Sequence, residues 1–158
     1  MKTTEQSRIL IIDDQETIRK SLKLALEREG YLVDTAENGR EAIRKSKEEF
    51  YNMALVDLRL PDMDGIELLT KMRETVPKMV RIVITGYPSL ENAIEAVNRG
   101  ADGYVVKPYT MEGLLLKIKE HLQKQREAKR YSEEKVGEFV ETCAEEYESK
   151  ARAKRSLK

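Results

Sequence analysis

Two kinds of segment alternate along this chain. The first kind is short, apolar and rich in β-branched residues: RILII (8–12), YLVDT (31–35), NMALV (52–56), VRIVIT (80–85) and DGYVV (102–106). Such near-continuous apolar runs suit strands covered on both faces. The second kind repeats at helical spacing. Ile18, Leu22, Ala25 and Leu26 form one stripe, and Ala42, Ile43 and Ser46 a shorter one. Ile66, Leu69 and Met72 form a third, Leu90, Ala93, Ile94 and Val97 a fourth, and Met111, Leu114, Leu115, Ile118 and Leu122 a fifth. Five strand-then-helix units predict a parallel sheet with helices on both faces.

The punctuation agrees with this division. Gly30 and Gly100 follow helical runs, where a left-handed C-cap is expected. Asn38-Gly39 is expected in the turn after the second strand. Pro61, Pro77, Pro88 and Pro108 all fall outside the predicted helix interiors.

After residue 123 the pattern changes. QKQREAKRYSEEK is almost wholly polar; then Val136, Phe139, Val140, Cys143 and Tyr147 recur at helical spacing, which predicts a further amphipathic helix over 133–149. The organisation expected is therefore an α/β domain over 1–123 and a helical extension with a basic end over 124–158. The extension is too small for its own core, so its apolar face is expected to dock on the domain, a second copy or a partner. His121, Gln125 and Ser132 interrupt the heptad pattern, so a long coiled coil is not expected.

The totals narrow the classes further. The chain has 158 residues and a formal net charge of +0, so no global field favours nucleic acid or membrane. Its one cysteine precludes an internal disulfide and suggests a reducing, cytoplasmic setting. Neither a signal-peptide core nor a membrane-spanning run is expected. No recognisable output domain is expected in residues 124–158.

The chemistry collects at strand ends. ILIIDDQE runs a buried strand straight into two adjacent carboxylates, Asp13 and Asp14. The third strand ends at Asp57, the fourth at Thr85, and the fifth leads to Lys107. Parallel sheets bind ligands beyond the carboxyl ends of their strands, where the strand order switches. In a sheet ordered 2-1-3-4-5 these side chains would converge, and three acids together must share protons or hold a cation. A hard divalent ion with oxygen ligands suits them.

These motifs resemble the receiver domain of two-component response regulators. The resemblance rests on IIDDQE, ALVDLRLPDMDG, VITGYPS and YVVKPY, in order, and covers residues 7–123. It implies a flavodoxin-like (βα)5 fold, a five-stranded parallel sheet of order 2-1-3-4-5. It implies that Asp57 accepts a phosphoryl group from a phosphohistidine, while Asp13, Asp14, Asp57 and the backbone carbonyl of Arg59 hold Mg2+ or Mn2+. Lys107 would pair with the acids and then with the phosphoryl oxygens, and Thr85 would hydrogen-bond one of those oxygens. Tyr104 would be the aromatic switch, turning inward as Thr85 moves. Gly86 would leave room for the phosphoryl group, and Lys107-Pro108 is a candidate cis peptide. Bulky Arg59 and Tyr87 would flank the path of attacking water and slow hydrolysis.

The implied partners are a sensor histidine kinase or phosphotransfer protein and a downstream protein, reached through the fourth helix, fifth strand and fifth helix. A homodimer is compatible; membrane and nucleic acid are not expected. The only chemistry implied is the chain's own phosphorylation and dephosphorylation. Two other classes stay open: the receiver fragment of a larger DNA-binding transcriptional regulator, and a Mg2+-dependent phosphatase with an aspartyl nucleophile, although haloacid-dehalogenase enzymes carry D-x-D after the first strand rather than Asp13-Asp14-Gln15.

Plainer roles exist for each residue. Asp13 and Asp14 could cap the first helix. Asp57 and Thr85 could be turn residues, Lys107 a solvated lysine and Tyr104 a packed aromatic. His121 lacks companion ligands and is expected at the surface, and Cys143 is expected to pack.

Overall fold

The computed structural model describes residues 6–156. Five strands, β1 (Arg8–Ile12), β2 (Leu32–Ala36), β3 (Met53–Asp57), β4 (Val80–Thr85) and β5 (Gly103–Val106), alternate with α1 (Glu16–Arg28), α2 (Gly39–Glu48), α3 (Gly65–Lys71), α4 (Leu90–Asn98) and α5 (Met111–Ser156). The sheet is wholly parallel and ordered β2-β1-β3-β4-β5, so the expected flavodoxin-like α/β architecture is the one found. Contacts divide the chain into two units that meet at Gln123 and Lys124.

Within the first unit, strand alternation sends side chains to two cores. Leu10, Ile12, Ala54, Val56 and Val83 pack with Ala42, Ile66, Leu69 and Ala96 on one face. Ile9, Ile11, Met53, Leu55, Ile82 and Ile84 pack with Leu22, Leu26, Leu114, Ile118 and Leu122 on the other. Because both faces are covered, β1, β3 and β4 read as near-continuous apolar runs, with Arg81 the one charged residue inside β4. Gly30 and Gly100 have φ of 93° and 97°, the left-handed geometry expected after α1 and α4.

Several local expectations need correction. Asn38 and Gly39 start a helix rather than form a turn: Asn38 is the N-cap of α2, its side chain accepting the Glu41 amide at 2.8 Å. The apolar stripe of α4 faces outward, with Leu90, Ile94 and Val97 exposed. The residue α4 buries is Ala96; a small side chain lets that helix lie close to the sheet, and the larger ones are left outside. His121 is half-buried rather than on the surface: a Cβ at Gly103 would stand 3.2 Å from its Nε2. Cys143 is exposed rather than packed.

The second unit is helical throughout its described residues, and the polar stretch belongs to α5 rather than preceding a separate helix at 133. Glu, Lys, Arg, Gln and Ala, which fill that stretch, are strong helix formers without needing a buried face. The Arg130–Glu134 pair at 3.5 Å adds i,i+4 support.

Candidate functional site

The carboxyl ends of β1, β3, β4 and β5 come together. β1 delivers Asp13 and Asp14 just beyond its last residue, and β3 ends in Asp57. One carboxylate oxygen from each of these three acids lies within 4.8 Å of the others. Asp13 and Asp57 are buried and Asp14 is exposed. Lys107, following β5, places Nζ 3.8 Å from Asp13 and 3.7 Å from Asp57. The Lys107–Pro108 peptide is cis, as is Val76–Pro77. Thr85 is buried at the end of β4; its carbonyl accepts the Lys107 amide at 2.8 Å, and its hydroxyl accepts the Tyr87 amide at 3.0 Å.

The acids are not helix caps in this arrangement. α1 begins after Gln15, which makes no side-chain cap bond. Asp13 instead accepts the Gln15 amide at 2.8 Å, and Asp57 accepts the Arg59 amide at 3.2 Å. These bonds orient each carboxylate while leaving lone pairs free. Burial pushes the Asp13 carboxyl up to about 6; the Gln15 amide and Lys107 oppose this, and Asp57 and Asp14 add to it. An acid held uncomfortably as an anion beside two others is a group that a cation would relieve. The donor set is hard oxygen, which fits Mg2+ or Mn2+.

Glycine geometry holds the acceptor loop close. A Cβ on Gly65 would press on the Asp57 carbonyl oxygen and the Leu58 Cα. The Gly65 amide donates to the Leu58 carbonyl at 2.8 Å, and Arg59 bridges to Asp64, closing the loop between β3 and α3 at its neck. A Cβ on Gly86 would meet only the Lys107 side chain at ordinary contact distance, so nothing in the surrounding packing demands glycine there.

Several further residues support the site, of which Tyr109 and Asp62 fall inside the quoted motifs without a role having been read for them, while Arg19 lies outside all four motifs. Tyr109 is half-buried, and burial raises its hydroxyl above the ordinary range, with Asp13 and Asp57 adding to the rise. Arg19, on α1, donates to the Asp13 carbonyl at 2.7 Å. Asp62 takes the Gly39 and Arg40 amides at 2.8 and 2.9 Å, tying the tip of the β3–α3 loop to the start of α2. Burial works against the charge on Asp62, but those two amides hold its carboxyl below the usual range. Tyr104 is half-buried against the core that includes Ala96; its hydroxyl is buried and, among the described residues, has no hydrogen-bond partner.

The chain is similar to known proteins over most of its length. Residues 9–119 match the response regulator receiver domain family. The transcriptional regulatory protein ResD of Bacillus subtilis (strain 168) is 38% identical over 124 residues, which are 78% of this chain and 51% of ResD. The chain thus spans about half the length of the curated relatives it matches. A CheY-like receiver domain protein of Methanospirillum hungatei JF-1 is 47% identical, with a TM-score of 0.75 over 78% of this chain and 99% of that one. The response regulator TrrA of Thermotoga maritima, solved in complex with Mg(2+)-BeF, is 34% identical, with a TM-score of 0.66 over 73% of this chain and 99% of that one.

Proposed function

This chain belongs to the response regulator receiver domain family, and from that premise we propose that Asp57 is its phospho-acceptor in a two-component system. The observation that carries the reading is the placing of Lys107 Nζ between Asp13 and Asp57, with Asp14 completing the acid cluster. In the transfer, an Asp57 carboxylate oxygen bonds to the phosphorus of a phosphohistidine on a kinase or phosphotransfer protein. The phosphorus–nitrogen bond breaks, and its electron pair returns to the imidazole. Lys107 is near enough to pair with the new phosphoryl oxygens, and the Thr85 hydroxyl is the donor on the β4 side.

Asp13, Asp14, Asp57 and the Arg59 carbonyl would hold Mg2+ or Mn2+. When bound, the ion offsets the charge that builds up as phosphoryl group and carboxylate approach. The support for a cation is the acid cluster itself and the raised Asp13 carboxyl. Water later returns the aspartyl phosphate to the carboxylate, so the chain acts on itself and not on an external substrate.

The output is a change in binding. Leu90, Ile94 and Val97 on α4 and Val106 on β5 are exposed apolar residues. They suit a surface whose partner affinity shifts as Thr85 and Tyr104 move. Such a shift requires the partner to bind the two states differently. In this structure the Tyr104 hydroxyl already lies inside, so the switch we propose exchanges this placement with an outward one. Among the described residues no helix is long and apolar enough to cross a membrane; a cytoplasmic setting is part of the proposal.

A second reading is favoured by one observation. The relatives are transcriptional regulatory proteins about twice the matched length, so this chain could serve as the receiver portion of a DNA-binding regulator. Treatment with acetyl phosphate and Mg2+, followed by intact-mass measurement, tests the main proposal. The expected result is one added phosphoryl group on wild type and none on Asp57→Asn. Equal labelling of both proteins, or steady turnover of a phosphomonoester, would overturn it.

A further inference from the structure

The second unit carries an apolar stripe that the acidic site does not use. Val136, Phe139, Val140 and Tyr147 are between 62% and 76% exposed, and Cys143 is exposed with them. At about 100° per residue, Val136, Val140, Cys143 and Tyr147 share one helix face, spaced four, three and four apart. That is the spacing of a heptad seam. Along one flank of the seam run Gly137, Ala144 and Ala151, seven apart and all small. Along the other run Ser132, Phe139 and Glu146. Glu134, Glu141 and Glu148, with Glu138 and Glu145, fall on the outer faces.

We propose that residues 132–151 pair with the same segment of a second copy, parallel and in register, as a short two-stranded coiled coil. The flanks choose this occupant and this direction. In a parallel pair, each flank residue faces the opposite flank of the other helix about five residues further on. Phe139 then covers the partner's Ala144, Ser132 faces the partner's Gly137 and Glu146 faces the partner's Ala151. The large ring fills the space left by the small residue. A Cβ at Gly137 would meet nothing within 4 Å, so nothing within the chain occupies that flank position.

An antiparallel pair sets like flanks together. Small would face small, leaving a gap, and the Phe139–Glu146 rows would crowd each other. The parallel arrangement also sets Glu146 against the partner's Ala151 rather than against another carboxylate; only Glu133 and Lys150, at the two ends of the seam, meet their own copies. Lys129 and Glu133 before the stripe, and Lys150 and Lys154 after it, occupy the next seam positions and limit the contact to two heptads. The association is therefore weak and concentration-dependent. Nothing in it depends on the phosphoryl reading of the acidic site.

The only cysteine tests the register directly. Parallel in-register pairing sets Cys143 beside the partner's Cys143. The full chain should show a dimer that grows with concentration in sedimentation, and mild copper–phenanthroline oxidation should trap it as a disulfide. A Cys143→Ser chain carrying Val136→Cys should be trapped comparably. The same background carrying Glu141→Cys, on an outer face, should be trapped about tenfold more slowly. Val140→Asp, at an exposed position where the monomer's fold is untouched, should lose the dimer by placing two charges in the seam. A monomer at all concentrations overturns the proposal. So does trapping at residue 141 as fast as at 136, trapping at 143 without trapping at 136, or a dimer unchanged by Val140→Asp, which would place the interface elsewhere.

Discussion

The guanidinium carbon of Arg59 lies 3.4 Å from the centroid of the Tyr87 ring. Arg59 follows Asp57 by two residues and Tyr87 follows Thr85 by two, so the stack joins the ends of two neighbouring strands beside the acid cluster. A cation over an aromatic face is worth about 1 kcal/mol at a partly exposed site.

The stack should restrict water's approach to a phosphoryl group on Asp57. Arg59→Ala and Tyr87→Ala should each speed phosphate release, by about fivefold if 1 kcal/mol of the barrier is lost. Neither change removes the Arg59 carbonyl, so Mg2+ affinity should hold. Phosphate release after kinase-free labelling measures the rate, and unchanged lifetimes in both variants would remove the shielding role.

Asp13 makes stability depend on pH when no divalent ion is present. Its carboxyl sits at about 6 in the folded chain against an ordinary 3.8, so the folded state keeps this proton to higher pH than the unfolded state does. The associated stability is present below 3.8 and is lost as pH rises through 6. Asp13→Asn should therefore gain on wild type between pH 4 and pH 7, by at most about 3 kcal/mol. Urea unfolding at the two pH values checks the sign. Millimolar Mg2+ should restore wild type at pH 7 and leave the variant unmoved. Mg2+ affinity measured calorimetrically should fall about tenfold per pH unit below 6.

Gly65→Ala should destabilise the fold by about 2 kcal/mol, since the new methyl meets backbone atoms that have nowhere to move. Denaturant midpoints report the loss. Because those atoms belong to Asp57 and Leu58, Mg2+ binding should weaken as well.

Tyr104→Phe should be neutral or stabilising by about 1 kcal/mol, because it removes a buried hydroxyl that has no partner among the described residues. A clear destabilisation in thermal melts would show that the hydroxyl is satisfied in solution.

Much of this was legible without coordinates. The apolar runs at β1, β3 and β4 marked strands covered on both faces, and the acids at the ends of β1 and β3 marked the edge where a site would form. Where local reading failed, the failure had a physical cause. Asn38-Gly39 suits a turn by its own chemistry, but the amides at the start of α2 are also satisfied by Asp62, a residue 23 positions from Gly39. Arg19 gave no signal, and Tyr109 none beyond its place in YVVKPY, because the nearness of each to Asp13 arises only when α1 and the segment after β5 meet at the carboxyl edge of the sheet.

The amino-acid order alone determined the alternation of elements, the covered faces of the sheet and the delivery of Asp13, Asp14, Asp57, Thr85 and Lys107 to strand ends, since each follows from neighbours along the chain. Only the tertiary structure decided which side of α4 is buried, that Arg59 stacks on Tyr87 and that Lys107 stands between Asp13 and Asp57. Periodicity shows that a helix has an apolar side, but whether that side meets the core depends on the side chains that distant strands present to it.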